Sequence, residues 1–168
     1  LATREIVSRW NSNTGRHDAV IGDVLAVDPD AEKLYEVVRD REDLTRRLDH
    51  FLTESEKIIP EASKALSCGD LEEFGRMAQE SQRAAEDLLG NQVPQTAVLA
   101  RIAHDLGAVG STSFGAGFGG SVWALVPSAE AKEFAEKWIT SYRDEYPEEA
   151  SQATTVVTRP GPSARRLD

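Results

Sequence analysis

The apolar positions of the first 27 residues give a divided signal. Ile6, Val7 and Trp10 suit one face of a helix, whereas residues 19–27 form a short apolar run that suits helix or strand equally. Between them Asn11-Ser12-Asn13-Thr14-Gly15 reads as a turn. Asp28-Pro29 then presents an N-cap followed by proline at the first helical position, where its missing N–H would have had no partner. A helix to about Arg39 is predicted.

The pattern sharpens in the middle of the chain. Across residues 42–66, Leu44, Leu48, Phe51, Leu52, Ile58, Ile59, Ala62 and Leu66 recur at spacings that put them on one stripe of a long helix, with Pro60 placed to kink it. Gly69 stops that helix, and Asp70 with Glu73 has the spacing of a capping box for the next. Its expected buried stripe is Leu71, Phe74, Met77, Ala78, Ala85 and Leu88, ending at Gly90. A third helix is predicted over residues 94–106, stopped by Gly107. The short Cys68-Gly69 connection makes the two long helices antiparallel neighbours.

Beyond Gly107 the texture changes. Residues 108–113 are small and polar, and residues 115–120 contain four glycines in six positions. The apolar run 121–126 reads as a buried strand closed by Pro127. Ser128 is placed to cap a helix with Phe134, Trp138, Ile139 and Tyr142 on one face. The β-branched residues 153–158 read as a second strand, and the tail Arg159-Pro160-Gly161-Pro162 cannot continue a ladder. Helices first, then strand, helix and strand, define an α+β fold with a mainly antiparallel sheet covered by helices.

Ser113-Phe114-Gly115-Ala116-Gly117-Phe118-Gly119-Gly120 is the most informative segment. Alternating glycines permit positive φ and close backbone approach, and successive amides in such a turn can form a concave anion site. A tight hairpin that lets two strands cross explains the same composition. The spacing fits neither a Walker loop, which needs Gly-Lys-Ser/Thr, nor a dinucleotide fingerprint, which needs a strand before it and a helix after it.

Composition narrows the partners. The 168 residues carry 29 acidic and 19 basic side chains, a formal net charge of −10, which repels phosphate backbones and anionic lipid. Nucleic acid and membrane are therefore not expected as partners. A chain this long buries roughly two thirds of its unfolded surface without disulfides or metal. The single Cys68 forms no internal bridge, which suits a reducing cytoplasm, and no Cys and His spacing resembles a zinc site. The chain opens Leu1-Ala2-Thr3-Arg4 in a segment that already looks helical, so it is expected to be a piece of a longer protein.

Gly-Ala-Gly-Phe-Gly-Gly between two strands, preceded by Gly107-Ala108 and followed by Thr158-Arg159-Pro160-Gly161, resembles the third conserved motif and C-terminal end of galactokinases, members of the GHMP family of small-molecule kinases. Gly69-Asp70-Leu71-Glu72-Glu73-Phe74-Gly75, with Glu80-Ser81-Gln82 and Asp87-Leu88-Leu89, resembles the helix ahead of that motif. The likeness covers roughly residues 44–163. It implies a two-lobed kinase that transfers the γ-phosphoryl of ATP, with Mg²⁺, to the anomeric hydroxyl of a hexose such as galactose. Galacturonate or arabinose kinases, a silent sugar- and ATP-binding sensor, and an unrelated ferredoxin-like binding module are the alternatives.

The resemblance further implies a ferredoxin-like plait with additional long helices. Residues 1–27 would continue from a missing N-terminal lobe of the same polypeptide, and residues 28–168 would be the GHMP C-terminal domain. Ser113, Phe114, Gly115, Ala116, Gly117, Phe118, Gly119 and Gly120 would line the cleft near substrate or phosphate. Catalytic and metal-binding residues would lie in the other lobe, so none is expected here. Neither Gly-Leu-Ser-Ser-Ser nor Asn-Leu-Ile-Gly-Glu-His occurs, so the chain alone is expected to be inactive and to hold no cofactor tightly. With its partner lobe missing, the face around Phe114 and Phe118 is expected to pair as a homodimer. The chain departs from the family at three places: Thr112-Ser113-Phe114 stands where galactokinases usually carry Arg-Met-Thr, Ser81-Gln82 where they commonly carry Ser-His, and Ser121 in place of a cysteine.

The remaining tempting residues have plainer explanations. His17, His50 and His104 are isolated, and Glu54, Glu56, Glu61, Glu72 and Glu73 suit solvated helix faces. Cys68 reads as a small hydrophobe, Trp123 and Trp138 as core, and Arg159, Arg165 and Arg166 as a frayed basic tail.

Overall fold

The structure is a computed structural model and describes residues 2–161. Helix α1 (Ala2–Thr14) buries Ile6, Val7 and Trp10, the face expected of it. It runs through the segment expected to turn, because the Thr14 hydroxyl donates back to the Trp10 carbonyl and the reversal is left to Gly15, at φ 73°. Asp18 then ties the turn down. Its carboxylate accepts from the Trp10 indole at 2.8 Å and from two nitrogens of Arg16, while its own amide donates to the Asn11 side chain. The ambiguous run contains a short helix, α2 (Ile21–Leu25).

Helix α3 (Glu32–Val38) starts later than Asp28-Pro29 suggested. Ala31 turns left-handed at φ 54°, and the buried Asp28 carboxylate reaches forward to accept from the Leu34 amide at 2.9 Å. Asp28 thus satisfies a first-turn donor from outside the usual cap position.

The long helix expected over residues 42–66 is α4 (Glu42–Leu52), a π-helical turn (Thr53–Ile58) and α5 (Ile59–Cys68) in unbroken succession. Pro60 sits at the second position of α5, so the irregularity it demands appears just upstream, where the Ile59 amide bonds the Glu54 carbonyl. Gly69 closes α5 at φ 75°, and Asp70 caps α6 (Leu71–Ala84) by accepting from the Glu73 amide at 3.0 Å. Only this half of the capping box forms, because Glu73 turns its carboxylate to Arg76. A second π turn (Ala85–Leu89) prolongs α6 to Gly90. The buried positions of α6 are Gly75, Met77, Ala78, Gln82 and Ala84, whereas Leu71 of the expected stripe is exposed.

Helix α7 (Pro94–Asp105) leads through Gly107 into β1 (Gly110–Phe114), which pairs antiparallel with β2 (Ser121–Leu125) in the register Gly110↔Leu125 to Phe114↔Ser121. Helices α6 and α7 pack on β1. A Cβ on Gly75 of α6 would collide with the Val109 carbonyl oxygen, and one on Gly110 would lie 3.0 Å from the Gly75 Cα, so helix and strand meet backbone to backbone. Strand β2 is half-buried rather than buried, since a two-stranded hairpin has too few neighbours to enclose it.

Helix α8 (Ala131–Glu145) follows, begun by Glu130 without a side-chain cap; Ser128 lies in the preceding turn instead. A short 3₁₀ turn (Glu149–Gln152) comes after it. Residues 153–158 do not form the expected strand. Nothing among the described residues ladders with them, and Val156 is 84% exposed. The fold is α+β, but the sheet has two strands, and the four strands of a ferredoxin-like plait are not assembled among the described residues.

Two separate apolar clusters result. One joins Ile6, Val7 and Trp10 to Ile21, Val24, Leu34, Val38, Leu44 and Leu48 of α2 to α4. The other gathers Ile102, Tyr142 and Ala150, with Leu99, Trp138 and Ile139 packed against them.

Candidate functional site

The glycine segment leaves β1 at Phe114 and returns at Ser121, so all eight residues from Ser113 to Gly120 stand together at one end of the hairpin. Gly115, Gly117, Gly119 and Gly120 have φ of 94°, 83°, 108° and 108°. Phe118 shares the left-handed region at φ 60°, a conformation that costs a Cβ-bearing residue about 1–2 kcal/mol. Phe118 is 75% exposed and Phe114 59% exposed.

What holds so strained a loop is contact with the tail of α6. The Asn91 carbonyl accepts from the Phe118 amide at 2.5 Å, and the Asn91 side-chain amide donates to the Ala116 carbonyl at 3.2 Å. Gly117 lies so close that a Cβ there would come within 2.6 Å of the Asn91 Cγ. Nearer the root of the loop, Gln82 accepts through Oε1 from the Thr112 hydroxyl at 2.9 Å and from the Ser113 amide at 2.8 Å. Its Nε2 donates to Glu86 at 2.7 Å. Ser81, its neighbour, donates to Glu54 on the facing π turn.

Gln82 and Thr112, both set apart by the resemblance described above, are brought into direct contact by the fold. Asn91 and the Gln82 contact were not foreseen from sequence. The only local hint was the Ser-Gln departure itself, since both are long-range partners of the loop.

Open sides on Gly115, Gly119 and Gly120, where a Cβ would meet nothing within 4 Å, leave room for a ligand to approach the backbone. Of the loop amides, that of Phe118 is already spent on Asn91. No group of three or more His, Cys, Asp or Glu side chains is placed to hold a metal ion among the described residues.

The other titratable groups are occupied elsewhere. Burial, then Arg47, pushes the His50 imidazole below its ordinary value, with Glu54 opposing, and Arg47 contacts its Nδ1 at 2.9 Å. His104 pairs with Gln79. Glu61 and Glu73 share Arg76, and Cys68 is exposed. Trp123 is half-buried against Phe74, and half-buried Trp138 donates to the Leu99 carbonyl. Arg159 is exposed; Arg165 and Arg166 lie outside the described residues. Two surface hollows open away from the loop, one along α1 beside Arg4, Arg16 and His17, the other at the start of α6 beside Asp70, Arg76 and His104. No helix among the described residues is long and apolar enough to cross a membrane.

A glycine hairpin docked on the end of a long helix in an α+β domain defines a class, and the comparisons supply it. Residues 58–144 match the GHMP kinases C-terminal family, and the chain belongs to that family. It is a galactokinase-like GHMP C-terminal domain. It is similar to the galactokinase of Enterococcus faecalis, 37% identical over 102 residues that make up 60% of this chain and 26% of that protein. The galactokinase of a Roseiflexus species is 29% identical over 154 residues, 86% of this chain and 39% of that protein. The crystal structure of Lactococcus lactis galactokinase complexed with galactose superposes with a TM-score of 0.71 at 25% identity, covering 87% of this chain and 36% of that one. The chain thus spans well under half the length of these relatives.

Proposed function

We propose that this chain is the C-terminal part of a galactokinase-like kinase that transfers the γ-phosphoryl of ATP, as its Mg²⁺ complex, to the anomeric hydroxyl of a hexose such as galactose. The observation that carries the proposal is the glycine loop, with its positive φ angles and open glycines, in a chain similar to galactokinases over 60–86% of its length. In such an enzyme the protein mainly positions and neutralises the transferred phosphate. Residues 113–120 would line the cleft against an N-terminal lobe and offer backbone amides to phosphate or sugar, while that lobe supplies the groups that hold Mg²⁺ and the catalytic residues. Residues 1–27 would continue from the lobe, and residues 28–168 would form the domain proper.

A second reading has one observation in its favour. Gln82 and Thr112 make a neutral pair where galactokinases commonly carry a histidine and an arginine, which suits a protein that binds sugar and ATP without turning them over. A coupled assay with galactose, galacturonate and arabinose separates the cases. The longer polypeptide is expected to turn over one of them and the 168-residue chain none, because a half site lacks most of the contacts that offset the cost of ordering a ligand. Turnover by the chain alone above a denatured control would overturn the two-lobed assignment.

A further inference from the structure

Gln82 is only 6% exposed, yet both ends of its side-chain amide are in use. Because the Ser113 amide can only donate, the atom facing it must be the oxygen, and the nitrogen is thereby turned to Glu86. Gln82 therefore fixes the root of the glycine loop in one orientation. Asn91, beyond the π turn of the same helical segment, fixes its crest through Ala116 and Phe118.

We propose that Gln82 is a positioning residue for the glycine loop, aiming the open backbone at Gly115, Gly119 and Gly120 toward the ligand through its paired bonds to Thr112 and Ser113. The proposal rests on the loop facing ligand, as inferred above. Root and crest are both referenced to α6 and its π turn, so the loop has no independent way to keep its shape if either anchor is lost. Removing the Gln82 oxygen would strand a donor at Ser113 and free the chain just before four residues that only glycine holds comfortably.

The test exploits Glu86. In Gln82→Glu the introduced carboxylate can still accept from Thr112 and Ser113, but it faces Glu86 where Gln82 now donates at 2.7 Å. Two carboxylates at that separation share one proton, so the pair loses it at a midpoint above the ordinary glutamate value of about 4.3. Other charges near this stretch are Glu54 on Ser81, Arg46 on the Asp87 carbonyl, and the Lys57–Glu80–Arg76 group. Strand β1 brings no titratable residue.

Amide shifts of Ser113 and residues 115–120 in the 168-residue chain, followed by NMR across pH, read the outcome, with inorganic pyrophosphate as the probe ligand. In Gln82→Glu the loop amides are expected to match wild type below the midpoint and move away above it, and any pyrophosphate affinity should fall along the same curve. Adding Glu86→Gln should return the wild-type shifts at every pH, and Gln82→Leu should displace the loop throughout. Loop amides that superimpose on wild type in both Gln82 variants would overturn the positioning role. Loop amides that ignore pyrophosphate in the longer polypeptide, where the second lobe completes the site, would instead count against the ligand-facing reading, while the pH profile in the 168-residue chain still decides the role of Gln82.

Discussion

Gly75→Ala sets helix propensity against a steric contact, and the structure decides which wins. Alanine in a helix interior is worth about 1 kcal/mol over glycine, so in isolation the change would stabilise α6. Here the new Cβ would overlap the Val109 carbonyl oxygen and lie 2.7 Å from its carbon, while Gly110 is already pressed against the Gly75 Cα. These are backbone atoms and cannot swing aside as a side-chain tip would, so α6 must lift from β1 and loosen the packing of Met77 and Ala78. Overpacking of this kind costs about 1–3 kcal/mol or more, and a contact this close belongs at or above the upper end. A net loss of about 2 kcal/mol lowers Tm by about 4–8 °C in a chain of this size. Gly22→Ala in α2 is the control, since its nearest neighbour would be the Val20 Cγ2 at 3.9 Å. It should raise stability by about 0.4–1 kcal/mol. Melting curves followed by circular dichroism compare the three proteins, and a Gly75→Ala chain that melts at or above wild type would refute the backbone-to-backbone argument.

Gly117→Val, tested in the longer polypeptide, should harm turnover more than stability. The left-handed φ costs about 1–2 kcal/mol of a typical 5–15, but the branch would push against Asn91 and shift the loop; a collapse in Tm with normal turnover would contradict this. Bonding to Arg16, and secondarily to the Trp10 indole, holds the Asp18 carboxyl below its usual range against the opposing effect of burial. Because the folded value is the lower one, the stabilisation is complete above the ordinary carboxylate range and is lost as pH falls through the depressed value. The Trp10 indole N–H resonance should therefore shift on acidification, and Asp18→Asn should remove that transition. Sedimentation of the wild-type chain and of the doubly substituted Phe114→Ser, Phe118→Ser chain should show a dimer lost on substitution. Monomers in both, well above micromolar concentration, would mean that the exposed aromatic face is not a pairing surface.

Local signals in the sequence carried the helices well, because their stops are single residues with one physical reason. Gly69, Gly90 and Gly107 all take the left-handed conformation expected of a residue that ends a helix, at φ 75°, 63° and 91°. The glycine loop was legible for the same reason. What could not be read locally were contacts between segments far apart in the chain. Gly75 looks like an ordinary weak point in a helix until Val109 arrives against it, and Asn91 looks like a turn residue until Phe118 bonds to it. The strand expected over residues 153–158 failed on the same ground, since β-branched side chains favour an extended chain but a ladder needs a partner edge. Proline misled at Pro60 only in position, as the π turn absorbed upstream what the missing N–H required.

The two apolar clusters share no side chain, and this shapes how the domain comes apart. Between them lie α5, α6 and the hairpin, where Met77 is fully buried and the small residues Gly75, Ala78 and Gly110 bring helix and strand backbones together. Opening the bundle of α1 to α4 exposes Trp10 and Leu34 without disturbing Ile102 or Tyr142. Amide exchange should accordingly sort into two protection classes that follow the two clusters, with the glycine loop hanging from the seam between them. Because Gln82 and Asn91 anchor it to α6 and the segment that follows, the loop should exchange with that helix rather than with either cluster.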